Sequence, residues 1–385
     1  MKKTLAYWIA CLTLSILLSG CAPAPAPDSL RAFDDPDSFS TRPCLVILNP
    51  TAARLKTLIE LETRGLFKRG DLRVVGVYHE KESAQYQRSI QFARERKLDW
   101  IGFHRLTAAL DPDTLFQDNG LTDEFRNIFE HSDGALFFGG ADIPPALYGR
   151  DTHLLTAIHT PYRHFLELSF AFHLLGGNQN PNFTAFLDSD PDYAILGLCL
   201  GMQNLNVATG GTLVQDIWTQ TYGRDTVEDV IALGPGAWHN NPFRRLHPLD
   251  DYFGITMHPI KLDPEGIFVK KWGFKPEDAP YILSSHHQAA DTLGRGFKVA
   301  ATSPDGRVIE AVEHTSYSRV LGFQFHPEAS RLWDPALKSR FTPQDETEIS
   351  LRAILEENPP SWDFHVKIWS WFRESLEQHK KSSGF

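Results

Sequence analysis

The stretch AILGLCLGMQNLNVA, residues 194–208, reads as two elements joined by a single turn. Ala194–Leu198 is a short, continuous apolar run, the pattern of a strand covered on both faces. Met202–Ala208 can continue as a helix until Gly210-Gly211 stops it. Between them lies Gly197-Leu198-Cys199-Leu200-Gly201, with a cysteine where a strand hands over to a helix. Flanking glycines permit a tight turn, and such a turn projects its central side chain into a cleft. A helix N-terminus beyond the cysteine favours negative charge and lowers a thiol pKa, while the N–H of Leu200 is left free to face an oxyanion. By itself the turn is equally compatible with a buried cysteine in a glycine-rich bend.

Working outward, similar apolar runs occur at Cys44–Leu48, Val74–Tyr78, Trp100–Phe103 and Ala135–Phe138. Between them the apolar residues take helical spacing, as in Leu55, Leu58 and Ile59 and from Ala84 to Arg96. Short runs alternating with helices predict an α/β fold of three layers, α/β/α, around a mainly parallel central sheet. Later strands are expected at Lys298–Thr302, Val308–Val312 and Val320–Phe325, and Phe364, Ile368, Phe372 and Leu376 share one face of a closing helix. The connection Thr152–Asp192 is long. It holds a helical piece, Tyr162–Leu175, and a polar loop, 176–182.

Two further motifs stand at strand ends. Phe325-His326-Pro327-Glu328 follows an apolar run, and His326 with Glu328 two positions on supplies the base, and the acceptor orienting it, that a thiol nucleophile needs. Gly139-Gly140-Ala141-Asp142 follows Ala135–Phe138, where paired glycines let backbone N–H groups turn inward as an oxyanion hole requires. Adjacent His286 and His287 raise the question of a metal. Neighbouring side chains diverge, however, and no Cys or Glu cluster accompanies them in sequence, so no metal is expected and a substrate-side or structural role is preferred. His239, His247 and His258 flank turn residues and are expected to do no chemistry.

Taken in order, GGADIPPALY, GLCLGMQNLNVATGGTLVQD, SSHHQAADTLGRGFKVAATSPDGRVIEAVE and GFQFHPE resemble the class I glutamine amidotransferase-like superfamily. Within it they look most like the γ-glutamyl hydrolases and γ-glutamyl-γ-aminobutyrate hydrolases, over about Pro43–Ser330. The resemblance implies a flavodoxin-like fold, with Cys199 as nucleophile, His326 as base and Glu328 orienting it. It implies oxyanion-hole N–H groups at Gly140 and Leu200, substrate contact at Gln203, and a substrate-side place for His287 in the SSHHQ block. No cofactor is implied. Phe138 departs from the pattern, standing where many members have Pro before the glycines. The long Thr152–Asp192 connection is expected near the cleft mouth, as material for a lid.

The ends of the chain read differently. Lys2 and Lys3 precede an apolar run, Leu5–Leu18, that closes on Leu18-Ser19-Gly20-Cys21. This layout is a secretory leader ending in a motif similar to the lipobox of bacterial lipoproteins. Residues 1–20 are expected to be cleaved, Cys21 lipidated, and residues 21–41, opening Ala22-Pro23-Ala24-Pro25-Ala26-Pro27, to form an extended spacer. The folded domain is then 42–378. Ala22 after the lipidated residue favours, by analogy with lipoprotein sorting, the periplasmic face of an outer membrane. Cys44 opens a core strand and is expected to be inert.

Composition closes off other classes. Of 385 residues 42% are apolar and 22% charged, enough for a sizeable core. Lys and Arg total 38 against 48 Asp and Glu, a net charge of −10 that argues against nucleic-acid partners. The expectation is an exported, lipid-anchored cysteine hydrolase acting on a small γ-glutamyl peptide or amide. The alternatives are a glutaminase that delivers ammonia to a partner, and a lipid-anchored binding protein that kept the fold without turnover.

Overall fold

The computed structural model describes residues 30–34 and 42–382. The leader, Cys21 and the Ala-Pro run lie outside the described residues. Residues 30–34, expected within the spacer, are docked on the body. Leu30 and Phe33 are buried, Arg31 bridges to His104, and the Phe33 N–H donates to His104 Nδ1 at 3.2 Å.

Five parallel strands form first: β1 (Cys44–Leu48), β2 (Arg73–His79), β3 (Ile101–Leu106), β4 (Gly134–Phe137) and β5 (Ala194–Leu198). Four more follow, β6 (Lys261–Leu262), β7 (Phe297–Thr302), β8 (Ile309–His314) and β9 (Val320–Phe323). The sheet order is β3-β2-β1-β4-β5-β9-β8-β7-β6. Neighbours from β3 through β9 pair in parallel, and the pairs β9-β8, β8-β7 and β7-β6 are antiparallel. With β3 set aside as an added edge strand, the parallel run is the flavodoxin-like progression. β1, β4 and β5 are buried at every position, as continuous apolar runs covered on both faces must be.

Helices cover both faces. α1 (Ala52–Thr63), α2 (Tyr86–Glu95) and α3 (Thr122–Glu130) return the chain between parallel strands, and α5 (Leu200–Ala208) follows β5 directly. The closing helix, α6 (Pro359–Ser382), presents Phe364, Ile368, Phe372 and Leu376 to the core, all fully buried. α4 (Pro161–Leu175) departs from expectation. It belongs to the core rather than to a lid: Arg163 to Leu175 are buried save Phe165, and it packs on α5 and β2. The loops on both sides of it lie open to solvent, with Leu154, Leu155 and Ile158 exposed before it and Asn178, Gln179, Pro181 and Asn182 after it.

The chain runs outward from β1 through β2 to β3, then returns to β4 on the other side of β1. Such a reversal opens a crevice at the carboxyl ends of the strands, where open α/β sheets bind ligands. Pro50, Gly139 and Cys199 stand at the ends of β1, β4 and β5 respectively.

The far end of the sheet is tied by α6. His379 lies between Asp133 Oδ1 and Asp190 Oδ2, at 2.7 Å from each. Burial pushes its imidazole down, but the two carboxylates overcome this and raise it to about 9. A histidine raised on folding stabilises fully below its unfolded value near 6.5 and loses that contribution as pH climbs through about 9. The His379→Ala protein should therefore melt below wild type at pH 6, by on the order of 2 kcal/mol. The gap should close above pH 9.5, and a gap independent of pH in paired thermal melts would contradict the assignment.

Candidate active site

The elbow forms because glycine stands on both sides of it. A Cβ on Gly201 would collide with the Phe137 carbonyl oxygen, and one on Gly197 would lie 2.7 Å from the Gly201 carbonyl carbon. β5 and α5 can therefore meet this closely only with glycine at both positions. Cys199 takes up the turn itself, at φ 52° and ψ −107°, in a region that costs a non-glycine residue on the order of 1–3 kcal/mol. Its N–H extends the ladder to Phe323 O at 2.7 Å, which fixes the elbow to β9.

β9 delivers the second motif. His326 follows it, with its N–H on Leu283 O at 3.0 Å and its Nδ1 donating to Glu328 Oε1 at 2.8 Å. The turn that carries both residues is clamped through Pro327 O, which accepts from the indoles of Trp333 (3.0 Å) and Trp369 (3.3 Å). Gly139 lies over the pair, where a Cβ would sit 2.9 Å from His326 Cε1 and 3.4 Å from Cys199 Cβ. Burial lowers the affinity of His326 for a proton, but Glu328 and then the Cys199 sulfur outweigh it and hold the imidazole well above its ordinary value. Cys199, His326 and Glu328 are thus brought together, with a base oriented on one ring nitrogen. This arrangement can exchange a proton between the thiol and a leaving group.

Gly140 and Leu200 flank the thiol. Neither backbone N–H has an acceptor among the described residues. Two arginines hold the glycine turn. Arg163 Nη2 donates to Phe138 O at 2.9 Å and to Gly139 O at 3.0 Å, and Arg54 Nη2 also donates to Gly139 O. In a trans peptide the C=O and the following N–H point in opposite directions, so this fixes the Gly140 N–H away from the guanidinium groups. Arg163 in turn donates to Glu167 Oε1 at 2.6 Å, and Glu167 accepts from Asn204 on α5. Burial pulls Arg54 down to about 9.

Gln203, for which the resemblance implied substrate contact, is buried on α5 beside the elbow. Its amide donates to Gln324 Oε1 at 3.3 Å, while Gln324 Nε2 lies 3.7 Å from Cys199 Sγ. His287 has both ring nitrogens engaged, Nε2 by Asp142 at 3.0 Å and Nδ1 by Asp216 at 3.4 Å. Burial lowers it, but the two carboxylates raise it to about 9, so it is a cation that tethers the glycine loop. Cys44 is fully buried in β1, and burial together with Asp133 pushes its thiol far up.

His286 and His287 do diverge, His287 to Asp142 and Asp216, but the fold supplies the partners for His286 that are not adjacent in sequence. Glu310 in β8 lies within 4.8 Å of ligand atoms of both His239 and His258, and its second oxygen is 3.5 Å from His286 Nε2. Sequence reasoning missed this group, and it missed Arg54, Arg163, Gln324, Asp142 and Asp216. Arg163 and Glu167, four apart on a largely apolar helical run, were one available signal, and Asp142 and Gln324 lie inside the quoted motifs GGADIPPALY and GFQFHPE.

Alkylation at neutral pH offers a direct check of the elbow. Adducts mapped by mass spectrometry on folded protein should fall on Cys199 and spare Cys44. Preferential labelling of Cys44 would contradict the geometry.

Comparisons with known proteins match the part of the chain that carries this site. The family model described as Peptidase C26 matches residues 112–328, which contain the glycine turn, the elbow and the His326–Glu328 turn. The chain is 30% identical over 210 residues to the glutamine amidotransferase-like protein YvdE of Lactococcus lactis, covering 54% of this chain and 71% of that one. It is 34% identical over 192 residues to Rv2859c of Mycobacterium tuberculosis, whose name marks it as a candidate glutamine amidotransferase. That match covers 50% of this chain and 49% of the relative. A CTP synthase of Picosynechococcus is 27% identical over 141 residues, only 24% of its own length.

Proposed function

The chain belongs to the peptidase C26 family, and from that membership and the site at Cys199 we propose that it hydrolyses γ-glutamyl amide bonds. The supporting observation is the strained Cys199 beside a His326 oriented by Glu328 at 2.8 Å. In the proposed reaction the Cys199 thiolate attacks the γ-carbonyl carbon, and the carbonyl oxygen takes the negative charge facing the N–H groups of Gly140 and Leu200. His326, holding the thiol proton, gives it to the departing amine as the C–N bond breaks. A thioester remains. Water then loses a proton to His326, attacks the thioester, and releases glutamate and the thiol.

The substrate in this reading is a small γ-glutamyl peptide or amide, and no cofactor enters. Its α-ammonium would be met by Asp142, which His287 and the Ala157 N–H (2.7 Å) hold at the glycine turn. His287 then acts by positioning Asp142 rather than by touching substrate. The exposed loop bearing Leu154, Leu155 and Ile158 is a part of the long connection that can serve as a lid. Among the described residues no helix is long and apolar enough to cross a membrane. In the proposed localisation the enzyme is exported and held through lipid on Cys21, on the periplasmic face of an outer membrane.

A panel of L-γ-glutamyl amides, glutathione, purified muropeptides and glutamine, read by product mass, tests the reading. Release of glutamate from γ-glutamyl peptides or amides supports it. Efficient ammonia release from glutamine with no cleavage of any γ-glutamyl peptide would favour the glutaminase reading, which the glutamine amidotransferase names of the relatives suggest.

A further inference from the structure

Beneath the antiparallel half of the sheet, four side chains distant in sequence turn toward one point. His239 follows a short helical turn, Pro235–Ala237, at φ 53°, and His258 sits on the strand Thr256–Pro259. His286 follows the strand Tyr281–Ser284 that pairs with it, and Glu310 is on β8. The side chains of His239, His258 and Glu310 are wholly buried, and that of His286 is 2% exposed.

The polar atoms in this cluster do not satisfy one another. His258 Nδ1 donates to Pro259 O at 2.9 Å, and His286 Nδ1 donates to Gln288 O at 3.0 Å. With the proton committed there, a neutral imidazole presents a lone pair at Nε2. Both Nε2 atoms face Glu310, at 3.7 Å from Oε1 and 3.5 Å from Oε2. His239 presents Nδ1 at 3.1 Å from Oε1, with its Nε2 3.4 Å from Tyr222 Oη. All three imidazole nitrogens and both carboxylate oxygens lack a hydrogen-bond partner among the described residues. The Nε2 lone pairs of His258 and His286 face a buried carboxylate and repel it, and each orphaned buried group costs on the order of 1–3 kcal/mol.

We propose that His239, His258, His286 and Glu310 hold a divalent transition-metal ion, zinc by the character of its donors. One cation would give the three imidazole nitrogens and the carboxylate a common partner, one ligand atom from each of the four residues. Ligand atoms about 2.0–2.1 Å from a tetrahedral zinc are separated by about 3.3 Å, close to the 3.1–3.7 Å between these nitrogens and the carboxylate. His239, His258 and Glu310 offer ligand atoms all within 4.8 Å of one another, while His286 approaches the other carboxylate oxygen at 3.5 Å and would complete the set by drawing inward as the ion binds. Carbonyl acceptors on the far nitrogens of His258 and His286 are the outer contacts that fix the tautomer of metal-binding histidines. Four protein donors in a buried site leave no open position, so the role is structural.

That role has a definite target. The Glu310 carbonyl accepts from the Gln324 N–H at 2.8 Å, and the Leu283 carbonyl, on the strand leading to His286, accepts from the His326 N–H at 3.0 Å. The His286 N–H donates to His239 O at 2.9 Å. The ion would therefore pin three segments behind the turn that carries His326.

Metal content of the full chain, expressed with zinc and purified without a metal-affinity step, should approach one equivalent. Replacing that ion with cobalt should give the visible bands of a four-coordinate site. Chelation should lower the melting temperature by about 5 °C or more, with recovery on adding zinc. Glu310→Gln and His258→Gln should each cut bound metal at least tenfold, while His247→Ala, a half-exposed histidine outside the cluster, should keep it. If the variants fail to fold, the stoichiometry and cobalt spectrum of the wild type decide. A folded wild-type chain with less than a tenth of an equivalent of metal, and a melting temperature indifferent to chelator and zinc, would overturn the proposal. So would a full equivalent with an octahedral cobalt spectrum, or one retained in folded Glu310→Gln and His258→Gln.

Discussion

Cys199→Ala is expected to lose at least about 10⁴-fold in kcat on any γ-glutamyl amide the wild type cleaves, with stability within about 1 kcal/mol of wild type. The proposed reaction passes through a thioester that alanine cannot form, and what remains is substrate positioning and the oxyanion N–H groups. Alanine keeps the φ of 52° that Cys199 adopts, so the strain of the turn is neither relieved nor increased. His326→Ala should be as severe. Glu328→Ala should leave a small residual rate, because that carboxylate fixes ring orientation rather than moving a proton itself. Residues acting as a unit are not additive, so the Cys199→Ala/His326→Ala pair should be no worse than either alone. Steady-state rates on purified proteins, with folding checked by thermal melt, decide. More than a tenth of the wild-type rate in Cys199→Ala would mean a different nucleophile.

The parallel half of the sheet was legible because its strands are unbroken apolar runs with glycine-marked exits, and burial on both faces leaves no other pattern. The elbow and the His326–Glu328 turn were legible for a related reason: each is local in sequence. What was hidden is long-range. Glu310 lies 24 residues from His286 and 71 from His239, and only the antiparallel return of β8 against β9 and the Thr256–Ser284 ribbon brings them together. The Thr152–Asp192 connection was expected over the cleft mouth because it is long and polar in places. Its helix went into the core because Arg163 and Glu167 neutralise each other and find backbone and Asn204 partners, which removes the penalty of burying them.

That buried pair yields the second large effect. Arg163 touches no reacting atom; it is a positioning residue that acts through the carbonyls of Phe138 and Gly139. Arg163→Met should lower kcat by about 10²-fold with KM changed little, since a misaimed Gly140 N–H weakens the transition state more than substrate binding. The same variant strands Glu167 without its cation, at a cost of about 3–5 kcal/mol, so lost activity alone would not separate aim from folding. The double variant Arg163→Met/Glu167→Gln does separate them. It removes both charges while the introduced amide oxygen can still accept from Asn204, so the melting temperature should largely recover. The kcat should not, because nothing in the double variant replaces the guanidinium donors, and Arg54 reaches Gly139 O alone. Recovery of kcat together with stability would assign Arg163 to the core and leave the aim of the oxyanion N–H to Arg54 and the turn itself.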